Sequence, residues 1–196
     1  TEKGVGADEL LAFGFTARHN DTTGFQGQHD ARGQLVMVDE ANGISPEINE
    51  GVDAVLSGSE DRVVKFANPT DAGTPFHDAC KKRPSSVIRI PCFSHPNVRW
   101  AYERHADGVW RLRPDIDRAL PRDADGFVRP QNFWPAELPR DVIKGAVSVA
   151  WIEGVRKRHG EKSQYWATRV MAQFPDGMVN AAIPRKLLEE AWLRYE

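Results

Sequence analysis

The chain has 196 residues, with 26 basic and 28 acidic side chains and a formal charge of -2, which suits one full hydrophobic core and is short for two. That balance gives no global positive field of the kind that draws nucleic acid, although it leaves room for a local basic face. No apolar run approaches the ~20 residues of a membrane span and no charged-then-apolar leader opens the chain, so a soluble, cytoplasmic protein with no membrane partner is expected.

In chain order, the first strand-like run covers residues 10–17, within ELLAFGFTA, and the second is LVMV at 35–38. The third is RVVKFA at 62–67. Short apolar runs rich in β-branched residues suit fully buried strands of a parallel sheet. Between the second and third, Ser45 and Pro46 read as an N-cap followed by proline at the first helical position, and Ile48, Val52, Val55 and Leu56 recur at helical spacing. Strand, helix, strand predicts a βαβ unit. Thr74 and Pro75 predict a second capped helix to about Lys82, and residues 87–90 (VIRI) a fourth strand.

Eight of the thirteen prolines fall in residues 84–139, which forbids long helices and predicts a surface excursion, the least regular part of the chain. Helices are expected again at 148–159, closed by Gly160, at 163–174, closed by Pro175, Asp176 and Gly177, and at 184–195. Cys80 and Cys92 form no C-x-x-C pair and read as reduced thiols.

The chemistry concentrates at the end of the second strand, where LVMV runs directly into Asp39 and Glu40. Open α/β folds bind ligands at the carboxyl ends of their parallel strands. Two adjacent acids there can divide the work of nucleotide hydrolysis, Asp39 on the metal side and Glu40 as the base that orients and deprotonates water. The plainer alternative is the start of a solvated loop. Asn68, where the next strand of a βαβ unit should end, carries an amide able to bond both a phosphate oxygen and a water; its plainer role is to initiate an Asn-Pro turn.

Taken together, GFQGQH (24–29), VMVDEANGISPEI (36–48), VLSGSEDRVVKFANPTDAGTPF (55–76), SHPNV (94–98) and QFPDG (173–177) resemble the large subunit of bacteriophage terminases, motors that package DNA into capsids. The likeness covers nearly the whole chain, in the family's order. It implies a P-loop NTPase-like three-layer α/β fold with a mostly parallel central sheet. Residues 36–40 look like the Walker B strand, with Asp39 serving Mg²⁺, through water, and with it the bound ATP. Glu40 looks like the catalytic base and Asn68 like the coupling residue that links hydrolysis to movement. The implied cofactors are ATP and Mg²⁺. The implied partners are double-stranded DNA, the portal protein, the terminase small subunit and further copies of the chain in a ring.

The departures are as informative. No G-x-x-x-x-G-K-[ST] loop occurs in the sequence, and Gly4-Val5-Gly6 lacks the Lys and Ser/Thr that grip phosphate and metal. Where many terminases carry Arg-Gly before Walker B, this chain has Gln26-Gly27; Arg18, Arg32 and Arg62 are the nearby substitutes. Residues 1–176 are therefore expected to be the later part of the motor's ATPase domain, and 177–196 the start of a linker toward a nuclease domain. On this reading the chain alone is inactive.

Two other functions compete. A DEAD-like helicase fragment would use Asp39-Glu40-Ala41-Asn42 as its box, but needs a second motor domain. A non-catalytic prophage remnant or interaction module would keep the sheet without binding ATP. His19, Asp21 and His29 lie at no metal-ligand spacing on a single element. The six tryptophans are expected mainly in packing, and LSGSED does not make the G-x-S-x-G of a serine hydrolase. Arg156, Lys157, Arg158 and His159 form a basic helix end suited either to the helix dipole or to DNA.

Overall fold

The computed structural model describes residues 12–17, 24, 27, 29, 30, 32–175, 191, 192 and 194. The chain divides into two compact units, residues 1–66 and 67–196. Both helices and strands are present, and the larger part of the mixed α/β content lies in short elements.

In the first unit β1 (Leu35–Val38) and β2 (Arg62–Lys65) pair in parallel, Leu35 opposite Arg62 and Val38 opposite Lys65. Helix α1 (Pro46–Val55) makes the crossover between them, so the predicted βαβ unit is present. Its start follows from the sequence: the Ser45 hydroxyl accepts the Ile48 amide at 3.4 Å, and Pro46 fills a position whose N–H would have no partner within the helix. Ile48, Gly51, Val52 and Val55 form its buried stripe.

Side-chain bonds fix which face of the strand pair α1 covers. Lys65 Nζ donates to Asn49 Oδ1 at 2.6 Å, and the Gln34 side chain donates to the Val55 carbonyl. Val36 and Val38 share that face by strand alternation and are half-buried. The opposite face is open, with Leu35 58%, Met37 68% and Phe66 52% exposed. This corrects the expectation of fully buried strands. One crossover helix covers one face, and a parallel sheet needs a layer on each.

The predicted strand at 10–17 is also corrected: residues 12–17 form no strand and most are exposed, with Phe13 stacked on Phe15 at 6.1 Å. Gly14 inside the run weakens a strand, having no side chain to pack and more backbone freedom to lose.

The second unit contains α2 (Pro75–Lys82), an antiparallel hairpin of β3 (Tyr102–Arg104) and β4 (Trp110–Leu112), and helices α3 (Pro114–Ala119), α4 (Val149–His159) and α5 (Gln164–Arg169). Thr74 is the cap the sequence announces, and Ser148 and Ser163, where the later helices were expected to begin, are caps as well. Thr74 accepts from the His77 amide at 3.2 Å, Ser148 from Trp151 at 3.2 Å and Ser163 from Trp166 at 3.1 Å. Gly160 ends α4 at a φ of 77°, which a residue with a Cβ rarely adopts. Helix α5 stops at Arg169, short of the expected 174, and Ala172 follows with a φ of 50°.

Residues 84–139 are irregular, their longest helix being the six-residue α3, but they are not a surface excursion. Phe93, Val98, Tyr102, Leu112, Leu120, Val128, Trp134 and Leu138 all enter the core with Val149, Ile152 and Val155 of α4. Proline forbids long helices; it does not forbid burial where other groups satisfy the backbone. Asn97 shows how. Almost wholly buried, it donates to the Ile143 and Val147 carbonyls at 2.9 and 3.1 Å and accepts the Ile143 amide at 3.0 Å.

Residues 87–90 form no strand. The expected helix at 184–195 and the linker from 177 lie outside the described residues, apart from Ala191, Trp192 and Arg194. Among the described residues no helix is long and apolar enough to cross a membrane.

Candidate functional site

The acid pair occupies the turn that leaves β1. The Phe66 amide donates to the Val38 carbonyl at 2.8 Å, and the next bond out is from the Ala41 amide to the Phe66 carbonyl at 2.9 Å. Asp39 and Glu40 are thus looped out between two bonds that hold the chain against the end of β2. Both are exposed, while the following Ala41 and Asn42 are buried.

The loop closes through an unusual backbone. Glu40 has φ 49° and ψ 37°, the left-handed region, which a residue with a Cβ enters at a cost. Its carbonyl accepts the Gly43 amide at 2.9 Å, and its own amide donates to Asp39 Oδ1 at 2.9 Å. One oxygen of Asp39 is engaged in shaping the turn, which leaves the other available.

That donor set bears on the metal the resemblance implies. A single exposed carboxylate with one uncommitted oxygen fits an Mg²⁺ held through its water shell. Among the described residues no three His, Cys, Asp or Glu side chains gather into a cage for a metal ion.

Asn68 is the second residue of the second unit. It is exposed, its carbonyl accepts the Thr70 amide at 2.8 Å, and Pro69 beside it is buried. The plain turn role is therefore realised in the backbone, and the side chain remains at the surface. In sequence it stands three positions beyond the end of β2.

Of the arginines considered for a finger, Arg18 lies outside the described residues. Arg32 grips Asp30 with bonds of 3.1 and 3.0 Å and holds that carboxyl down to about 2. Arg62 donates to the carbonyls of Ser59 and Asp61, both at 2.8 Å.

The basic end of α4 is engaged within its own unit. Arg156 donates to Glu153 at 2.8 Å and to the Trp110 carbonyl at 2.8 Å, and lies 2.9 Å from Glu161. Lys157 donates to the Asp125 carbonyl and lies over the Phe127 ring, as does Arg158. His159 stacks on Tyr165.

Sequence reasoning missed Asp61. Its carboxylate accepts the Gly58 amide at 2.7 Å and the Gln34 amide at 3.0 Å, joining the loop before β2 to the start of β1. The turn-rich string SGSED was the available signal. Gly33 was missed as well. It has a φ of 88°, and a Cβ there would stand 2.6 Å from Glu60 Cβ.

The chain matches no family model, no curated protein and no solved structure with which it was compared.

Proposed function

We propose that this chain is the Walker B and coupling part of a DNA-packaging motor ATPase of the terminase large-subunit kind, with a P-loop-like three-layer fold in the whole protein. The observation that carries the reading is the parallel β1–β2 pair with its crossover helix, whose first strand delivers Asp39 and Glu40 at its carboxyl end. The open face of that pair agrees with a sheet meant to carry a further layer.

In this reading Glu40 orients water and takes its proton, and Asp39 would hold Mg²⁺ through the ion's water shell. Asn68 at the surface offers an amide that can both donate and accept. When bound, ATP would supply the phosphoryl group and Mg²⁺ would offset its charge. Double-stranded DNA is the substrate moved, with the portal protein, the small subunit and further copies of the chain as partners.

The test uses this chain joined, ahead of Thr1, to a strand, a G-x-x-x-x-G-K-[ST] loop and a helix. Mg²⁺-dependent phosphate release should appear, and Glu40→Gln should lower turnover by about 100-fold or more with nucleotide binding retained. Asn68→Ala should spare binding and uncouple hydrolysis from DNA movement. Equal hydrolysis by the parent protein and Glu40→Gln would refute the role of Glu40.

A further inference from the structure

The sequence from residue 79 to residue 101 contains no acidic side chain, but carries Lys81, Lys82, Arg83, Arg89 and Arg99. The first three lie at the C-terminal end of α2, where two of them complement the helix dipole. Arg89 follows six residues after Arg83, and its charge reaches Cys80 of α2, where it opposes the rise that burial imposes on that thiol. Among the described residues none of Lys81, Lys82, Arg83 and Arg89 is paired with a carboxylate.

Beside these cations runs VIRI, the segment whose composition predicts a strand. Its flanks are extended: Val87 has φ -95° and ψ 121°, and Pro91 has φ -68° and ψ 156°. Among the described residues the amides and carbonyls of Ile88, Arg89 and Ile90 have no backbone partner. Ile88 is 86% exposed and Ile90 71%. A β-branched segment with free backbone groups is a template for strand addition.

We infer that residues 87–90 are a docking strand for an acidic, extended segment of a protein partner. Such a segment adds alongside VIRI through main-chain hydrogen bonds, covers Ile88 and Ile90 with alternate apolar side chains, and sets its carboxylates against Lys81, Lys82, Arg83 and Arg89. Charge complementarity selects the sign of the partner. The exposed isoleucines select its class: a nucleic acid backbone would meet the cations but leave both apolar side chains and the free amides in water. The inference is independent of the ATPase reading, since it uses none of Asp39, Glu40 or Asn68.

The test takes the full chain and a fluorescein-labelled peptide of about eight alternating Glu and Val residues, as strand-addition ligands alternate their anchors. Anisotropy at ~0.15 M salt, where long-range attraction is screened, should show binding. A Lys-Val peptide of the same length should not bind. Hydrogen exchange at the amides of Ile88, Arg89 and Ile90 should slow at least about tenfold on saturation, because main-chain bonds form there. Arg89→Glu combined with Lys82→Glu should weaken binding at least about tenfold, and both sites are exposed, so circular dichroism should be unchanged. Absence of binding would overturn the proposal, as would binding that is indifferent to the double variant. Displacement by duplex DNA with no slowing at residues 88–90 would also overturn it, and would make the patch a nucleic acid contact instead.

Discussion

The Ala41 amide donates to the Phe66 carbonyl at 2.9 Å, and this bond carries the β1–β2 pairing past the last strand residue into the acidic turn. Because the next bond inward, from Phe66 to the Val38 carbonyl, precedes Asp39, both acids must be accommodated in the gap. Glu40 takes the left-handed conformation that results.

That conformation gives a prediction in which stability and activity move in opposite directions. Asparagine tolerates the left-handed region better than glutamate, so Glu40→Asn should raise stability by about 1 kcal/mol, the lower end of the cost of such strain. It should also remove the proposed base. The check is the urea midpoint of this chain beside phosphate release from the extended protein. A lower midpoint would mean that no strain is stored at residue 40.

Gly33 separates two effects that positive-φ glycines usually combine. Gly27 and Gly33 have φ values of 75° and 88°, but a Cβ at Gly27 meets nothing within 4 Å whereas one at Gly33 meets Glu60 Cβ at 2.6 Å and its carbonyl oxygen at 3.0 Å. Gly27→Ala should cost about 1 kcal/mol from the backbone alone. Gly33→Ala should cost at least about 1 kcal/mol more, because backbone must shift as well. Denaturation of the two variants side by side decides it, and equal losses would show that the loop yields freely.

What was legible in the sequence was local. Ser45 and Thr74 cap the helices they announce, and Ser148 and Ser163, where the later helices were expected to begin, cap theirs too, because a hydroxyl ahead of a helix has one short-range task. The pairing of β1 with β2 was legible too, because a crossover of helical period leaves parallel strands few alternatives. Burial was not. LVMV reads as a buried strand, yet Met37 is exposed, since coverage depends on layers that a four-residue string does not describe. The error at 84–139 had the opposite sign. Phe93 and Trp134 follow no helical or strand period, and only the tertiary bonds of Asn97 and of the Trp134 indole, which donates to the Arg129 carbonyl, show how irregular chain is held in a core. The left-handed Glu40 left no trace in composition at all.

A charged cluster borders the core of the second unit, with Tyr102 and Glu153 buried, Arg156 half-buried and Glu161 exposed. Tyr102 donates to Glu153 Oε1 at 2.8 Å, the oxygen that also receives Arg156. Burial, reinforced by the Glu153 charge, holds the Tyr102 hydroxyl protonated. Arg156 also faces Glu161 at 2.9 Å, an ion pair whose angle falls short of a hydrogen bond. Tyr102→Phe should cost about 1–1.5 kcal/mol, the usual worth of one such bond. Arg156→Met leaves the buried Glu153 carboxylate without its cation and should cost about 3 kcal/mol. Chemical denaturation ranks the two, and a larger loss for Tyr102→Phe would show that the hydroxyl's bond to Glu153, not the charge balance, governs the site.

Asp61 supplies the prediction for pH. The Gly58 amide, and after it the bonds from Gln34, hold its carboxyl below the usual aspartate value. A group with a lower pKa in the folded than in the unfolded chain stabilises the fold fully above its unfolded value, and loses that contribution as pH falls through the folded one. An asparagine in its place would keep an acceptor but cannot titrate, so the Asp61→Asn variant lacks the pH-dependent part. Asp30 is held low by Arg32 in both proteins and cancels in the difference between them. Urea denaturation of parent and Asp61→Asn chains should show the parent more stable at neutral pH, by an amount that is constant down to the ordinary aspartate pKa of about 3.9 and shrinks below it. A difference that persists unchanged in stronger acid would show that the tie between the start of β1 and the loop before β2 does not depend on the charge of Asp61.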